Sequence, residues 1–360
     1  MARYEENPLA VAIIGTGLVA KQMIKVLLKL KRPITAICGR DITKSQALIS
    51  EFGLEGQTLA YDSLANLWEH DDANYVYIAT SNDVHTKHAL DAMFHGKNVL
   101  LEKSMVQNML QLAAIETTIK SERRIFMEAN PALCSPLLKK YQEAINNNEP
   151  IDGIGKIGTI NISLGQVPEI DPKNRFFNPQ LGGGLLNDIG SLGVAGAVML
   201  LGRNLRVLSS DIEFNSEFNV DVRANAILVG QNGIRANLSM SFLETMPNGL
   251  VLGTNSGYVT ISAFARSSIS RINSLNAEPY VKDIRQEILD RYNLTGEDFL
   301  NYRDLSLALE VLEFESAVLA GFDKCYQENL THYEESKAVA RIIAEMIAHS
   351  KTDRIYPQFI

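Results

Sequence analysis

Leu9-Ala10-Val11-Ala12-Ile13-Ile14-Gly15-Thr16-Gly17-Leu18-Val19-Ala20 is the stretch on which the fold turns. Its first half is an unbroken apolar run ending at a glycine, the pattern of a strand buried on both faces of a parallel sheet. Its second half reads Gly15-x-Gly17-x-x-Ala20, and helical spacing from Lys21 to Leu30 follows until Pro33 stops it. A glycine-rich turn between a strand and a helix is the setting in which a pyrophosphate is held. Gly15 permits the tight turn, Gly17 lets the backbone approach the phosphates, and Ala20 keeps helix and sheet close. Thr16, Leu18 and Val19 complete the turn, whose N–H groups lie at the positive end of the helix dipole.

The same rhythm continues outward. Ile34–Cys38 is a second short β-branched run, Thr43–Phe52 reads as a helix closed by Gly53, and Tyr75–Thr80 and Asn98–Leu101 read as strands flanking a helix over Val84–Phe94. Strands alternating with short helices imply right-handed βαβ units and a parallel sheet, so residues 1–130 are expected to form a dinucleotide-binding Rossmann domain. The second strand ends Gly39-Arg40-Asp41. NAD-binding domains usually place an acid there for the ribose hydroxyls. A guanidinium beside a glycine suits a 2′-phosphate instead, so NADP is expected to be preferred, with NAD the alternative. The bland reading makes Arg40 a solvated loop charge and Asp41 the cap of the next helix.

After about residue 150 the pattern changes. Gly158–Leu164, Asn219–Val229, Ile234–Phe242 and Tyr258–Ser262 are strand-like, and Asn232-Gly233 between two of them signals a hairpin. One helical segment, Leu185–Leu201, interrupts them, and Leu305–Leu319 and Glu334–Ser350 read as closing amphipathic helices. Residues 131–360 are therefore expected to be an α+β domain with a predominantly antiparallel open sheet for substrate and oligomer contacts. Its closing helices are free to pack back on the first domain.

The composition narrows the partners. A net charge of −8 over 360 residues argues against a nucleic-acid surface. Cys38, Cys134 and Cys325 match neither a zinc spacing nor a disulfide framework, which implies reduced thiols, no metal, and a cytoplasmic setting. The polar start of the chain is unlike a signal peptide, and the richest apolar run, Leu192–Leu201, falls short of the ~18 residues a membrane span needs.

Further motifs carry a resemblance. Ser81-Asn82-x-x-His85, then Gly96-Lys97-Asn98-Val99-Leu100-Leu101-Glu102-Lys103, then Gly182-Gly183-Gly184-Leu185-Leu186-Asn187-Asp188-Ile189-Gly190, and Gly253-Thr254-x-x-Gly257, resemble the Gfo/Idh/MocA oxidoreductases. Glu128-Ala129 resembles the dihydrodiol-dehydrogenase-like branch. The resemblance implies hydride transfer between a nicotinamide and a sugar, polyol or cyclic diol in a crevice between the two domains, in a homodimer or homotetramer built through the C-terminal sheet. It makes Lys103 the active-site lysine, which polarises the reacting oxygen, with Glu102 orienting it. Thr80, Ser81, Asn82 and His85 then belong to the nicotinamide side of the cofactor site. Asp188 is the acid that keeps the lysine charged, and Arg175, Asn178, Asp188 and Leu192 are substrate contacts.

Three positions depart from the family pattern. Ser104 stands where a proline usually follows the lysine, so a cis turn there is not to be assumed. Leu133 replaces an arginine, and Leu192 replaces the histidine or tyrosine of Asp-x-Gly-x-His/Tyr; leucine has no proton to exchange. The second functional reading is therefore a catalytically impaired dinucleotide-binding sensor or regulatory partner.

Overall fold

A computed structural model of the chain describes residues 8–70, 72–171 and 173–352. The chain forms two compact units. The first takes in the chain up to Val106, Leu110–Ala129 and Glu297–Tyr333; the second takes in Gln107–Met109, Asn130–Gly296 and the chain from Glu334 on.

In the first unit the elements run β1 (Val11–Ile14), α1 (Leu18–Lys29), β2 (Ile34–Cys38), α2 (Ile42–Glu51), β3 (Leu59–Tyr61), α3 (Leu64–His70), β4 (Tyr75–Ile78), α4 (Asn82–Phe94), β5 (Asn98–Glu102), α5 (Met109–Glu122) and β6 (Phe126–Ala129). The sheet order is β3-β2-β1-β4-β5-β6, and all pairs are parallel. This is the doubly wound order, and the direction of winding reverses between β1 and β4, where ligands of such sheets bind. β1 and β4 are buried along their whole length, as their unbroken apolar runs require. The sequence reading had passed over β3 and α3 because Leu59–Tyr61 is short and partly exposed, so it carries no two-sided apolar run.

The second unit opens with α6 (Pro136–Asn146) and β7 (Thr159–Gly165). A π-helical turn, Leu186–Gly190, then leads into α7 (Ser191–Leu201). The strands β8 (Arg206–Phe214), β9 (Asp221–Val229), β10 (Arg235–Ser241), β11 (Gly249–Gly253), β12 (Gly257–Ser262), β13 (Ile269–Ser274) and β14 (Tyr280–Asp283) follow, and α8 (Arg285–Tyr292) comes after them. The eight strands lie in the order β14-β13-β12-β11-β7-β10-β9-β8. Only β7 and β10 run parallel; every other pair is antiparallel, as expected of this domain. The turn at Asn232-Gly233 joins β9 to β10 as a hairpin.

The stretch Pro179–Leu201 proves long and apolar enough, by composition alone, to cross a membrane, which the reading of Leu192–Leu201 as the limit had missed. Most of it is buried inside the protein: α7 packs on β7, β10 and α6 as the core helix of its unit.

The closing segment divides between the units. α9 (Tyr302–Ala320) and α10 (Phe322–Gln327) belong to the first, and α11 (Tyr333–Thr352) lies almost wholly in the second. α9 packs on α1 and is fastened by a buried ion pair: Arg32 Nε donates to Glu315 at 2.9 and 3.0 Å, and the Tyr75 hydroxyl donates to the same carboxylate at 3.3 Å. In the second unit α11 is held to β8, with Ser210 Oγ donating to the Met346 carbonyl at 2.5 Å and Ser350 Oγ accepting from Ile212 N–H at 3.0 Å.

Candidate active site

The carboxyl ends of β1, β2, β4 and β5 bring several of the singled-out residues into one layer of loops. After β1, Gly15 adopts φ +125°, and a Cβ there would lie 2.4 Å from the Ala79 carbonyl oxygen. Only glycine fits between the ends of β1 and β4. Gly17 is the N-cap residue of α1; no side chain caps that helix and no acid stands in its first turn. Among the described residues its first N–H groups thus have no side-chain cap, which suits a pyrophosphate. Thr16 packs against Gly39, where a Cβ would fall 2.7 Å from the threonine methyl. Leu18 is exposed, and Ala20 is buried against the sheet.

Beyond β2, Arg40 is exposed and has no ion pair or hydrogen bond among the described residues. Asp41 is the cap of α2, accepting from Thr43 N–H at 3.0 Å and from its hydroxyl at 2.6 Å. The cap and a guanidinium left open to a ligand therefore coexist. Beyond β4, Ser81 is the N-cap residue of α4, yet its hydroxyl makes no cap bond and has no other partner among the described residues. Asn82 is the first residue of α4.

Lys103 follows the last residue of β5 and is half-buried. Glu102 accepts from the Tyr77 hydroxyl at 2.5 Å, so its carboxylate is tied to β4. The Lys103–Ser104 peptide is cis, with serine in the place where a proline was missed. Three contacts fix the turn: Ser104 Oγ donates to the Val106 carbonyl at 3.1 Å, Glu128 Oε1 accepts from Met105 N–H at 2.8 Å, and His85 Nδ1 lies 2.9 Å from the Ser104 carbonyl. Glu128, which the sequence offered only as a family likeness, thus anchors the lysine turn.

His85 is almost completely buried, and its Nε2 lies 3.2 Å from the Thr80 carbonyl. Burial holds its pKa below the ordinary 6.5, against the pull of the two carbonyls. A neutral ring has one N–H, and the shorter contact assigns it to Nδ1 donating to Ser104. His85 therefore ties the loop after β4 to the loop after β5. A depressed histidine pKa favours the neutral folded form, so its contribution to stability is present above about 6.5 and is lost as pH falls through the folded value. His85→Gln is expected to remove that part of the acid sensitivity and to lower turnover ~10-fold by loosening the lysine turn. Urea midpoints of wild type and variant between about pH 5 and 8 measure the first effect; parallel slopes would show that His85 does not titrate there.

In the second unit the π-helical turn carries Asp188, which is buried. Gln166 Nε2 donates to Asp188 Oδ2 at 2.9 Å, and Arg175 Nη2 approaches Oδ1 at 3.4 Å. Arg175 is exposed and stacks over the Phe176 ring at 4.1 Å. Asn178 spends its side-chain oxygen on Gln180 N–H at 3.0 Å, as a local cap. Leu192 is half-buried on the first turn of α7. Gln166 had escaped the sequence reading, since a glutamine just past a strand end carries no distinguishing pattern. His85, Lys103 and the glycine turn lie in the first unit; Arg175, Asn178, Asp188 and Leu192 lie in the second.

Comparison with known proteins identifies the family. Residues 9–129 match the oxidoreductase family with an NAD-binding Rossmann fold, and residues 143–259 match the GFO/IDH/MocA C-terminal domain. The chain belongs to the Gfo/Idh/MocA oxidoreductases. Among relatives of this family, the dTDP-3,4-didehydro-2,6-dideoxy-alpha-D-glucose 3-reductase of Actinomadura kijaniata is 24% identical over 88% of this chain and 89% of its own. The trans-1,2-dihydrobenzene-1,2-diol dehydrogenase of Xenopus tropicalis is 25% identical over 63% of this chain and 66% of its own. Among solved structures, a 3-ketoreductase from A. kijaniata in complex with TDP-benzene and NADP superposes with a TM-score of 0.76. It is 19% identical, over 95% of this chain and 98% of that one. The fold expected from the glycine turn is thus the Gfo/Idh/MocA fold, and the activity class is oxidoreductase.

Proposed function

We propose that this chain transfers hydride between NADP(H) and the carbonyl or carbinol carbon of a sugar, polyol or cyclic diol, with Lys103 binding the reacting oxygen. The observation that carries this reading is the shared layer of loops: Lys103 at the end of β5 lies beside the end of β4, whose far neighbour β1 leads into the uncapped start of α1. Relatives named for a sugar 3-reductase and a cyclic-diol dehydrogenase support the substrate class. When bound, the nicotinamide supplies or takes up the hydride. The ammonium of Lys103 stabilises negative charge on the carbonyl oxygen and, since Leu192 has no proton to give, is also the donor in the reductive direction. Asp188, steadied by Gln166 and Arg175, accepts hydrogen bonds from substrate hydroxyls, and Asn178 and Leu192 border them.

A panel of keto-sugars and cyclic dicarbonyls, followed by NADPH absorbance, tests this function. Tight NADPH binding with no oxidation across the panel would leave the sensor reading in its place.

Arg40 supports NADP over NAD, because it is exposed and uncommitted at the end of β2. Charge-assisted bonds to a phosphate are worth ~1.5–3 kcal/mol, so Arg40→Ala should weaken NADPH binding ~10-fold or more and leave NADH unchanged. Fluorescence titrations with both cofactors read this directly; equal losses for the two would remove the phosphate role.

We also place the protein in the cytoplasm, on the strength of three buried free cysteines. A homodimer or homotetramer through the eight-stranded sheet finds support in an exposed face bearing Asn161, Asn225 and Asn237, side chains able to bond across an interface.

A further inference from the structure

The π-helical turn Leu186–Gly190 begins without a cap of its own. Leu185 occupies the cap position and has no side-chain acceptor, so the first N–H groups of the π turn and α7 need a partner from elsewhere. Asp221, at the start of β9, provides one. Its Oδ2 accepts from Leu186 N–H at 2.6 Å, while its own carbonyl accepts from Leu185 N–H at 2.8 Å. The close approach depends on Gly184: at φ +110°, a Cβ there would meet Asp221 Oδ1 at 2.3 Å. The third glycine of Gly182-Gly183-Gly184 is therefore required by the carboxylate beneath it, and Asp188 sits two residues beyond the N–H that this carboxylate holds.

We propose that Asp221 is a positioning residue: its carboxylate caps the π turn from the neighbouring strand and so seats Asp188 for substrate. The proposal rests on the assignment of Asp188 to the substrate site. A negative group at this helix start also complements the helix dipole. A π turn within a longer helix is a common device at functional sites, and here it needs an outside anchor because its own cap position is leucine.

The other charged groups nearby are already engaged. Arg223 of β9 pairs with Glu213 of β8 and with Glu244 just past β10, and Asp188 is held by Gln166 and Arg175. No ion pair reaches Asp221 among the described residues. Burial pushes its carboxyl up to about 6, with the backbone N–H bonds pulling the other way. The carboxylate is thus ionised at neutral pH, and because its folded pKa is raised, protonation as pH falls through about 6 favours the closed turn, with a carboxyl oxygen still accepting.

The test compares wild type, Asp221→Ala and Asp221→Asn by amide hydrogen exchange over residues 182–192, by NADPH titration, and by kcat and KM against pH. Asp221→Ala is expected to speed exchange in that segment and to lower kcat, each ~10-fold, while the NADPH dissociation constant holds within about twofold. Asp221→Asn keeps an oxygen acceptor and does not titrate. It should restore protection and kcat at neutral pH and abolish the wild type's rise in protection as pH falls through about 6. Wild-type exchange in Asp221→Ala, or an Asp221→Asn as impaired as Asp221→Ala at neutral pH, overturns the proposal. If Asp221→Ala does not fold, the exchange of wild type and Asp221→Asn across the pH range decides the matter. If no substrate is turned over, the functional reading fails, and the exchange measurements still decide whether Asp221 holds the turn.

Discussion

Lys103→Ala is expected to cut turnover by ~10²-fold or more while the NADPH dissociation constant stays within about twofold of wild type. The reasoning starts from where the residue lies. Lys103 immediately follows β5, on a turn pinned by His85, Glu128 and Ser104, so its backbone is fixed independently of its ammonium. Truncation to alanine removes the charge and leaves those contacts in place. The phosphates of the cofactor are assigned to different groups, the N–H groups of Gly17 to Ala20 and the Arg40 guanidinium, which explains the split between turnover and binding. The large loss follows because Leu192 offers no second proton donor. Steady-state kinetics with a verified substrate, beside a fluorescence titration of NADPH, measures both quantities. A variant that turns over at near wild-type rate would remove Lys103 from the chemistry, and one that loses NADPH binding equally would make it a cofactor ligand.

The second large effect concerns stability. Arg32→Leu should destabilise the first unit by ~3–5 kcal/mol, because it strands the carboxylate of Glu315, whose side chain is wholly buried. In the wild type, burial raises the Glu315 pKa, and Arg32 and the Tyr75 hydroxyl offset that rise. Without the guanidinium the carboxyl is favoured in its protonated form on folding. A folded pKa raised above the unfolded one gives stability that is present at low pH and lost as pH rises. The deficit of the variant should therefore be smaller near about pH 5 than at about pH 8. The double variant Arg32→Leu/Glu315→Leu should recover much of the loss, since a buried pair replaced as a whole by apolar side chains is often close to neutral. Urea unfolding of the three proteins at both pH values reads all of this. A single variant within about 1 kcal/mol of wild type would mean that the pair is hydrated or that α9 does not depend on it.

These two expectations draw on different kinds of knowledge. The first unit's sheet was largely legible in the sequence, because strands buried on both faces leave unbroken apolar runs that need no partner to be recognised. Val11–Ile14, Ile34–Cys38 and Tyr75–Ile78 are such runs. β3, at the sheet's edge, and the mostly exposed β14 were missed because strands so short, with no buried residue, carry neither an unbroken apolar run nor an alternation. The glycine turn and Lys103 stood out by their positions in short local motifs. Glu315, Gln166 and Asp221 did not: each is an ordinary polar residue whose role comes from a partner 22 to 283 positions away.

By itself, then, the sequence determined the parallel Rossmann sheet, the family, and the turn that begins at Gly15, since each is written in contiguous residues whose backbone conformation is local. Tertiary structure alone decided how the lysine turn is pinned by His85 and Glu128. It also decided that Asp221 lies under Gly184. Those are hydrogen bonds between segments that meet only when the sheets close, and no local pattern encodes which buried donor finds which acceptor.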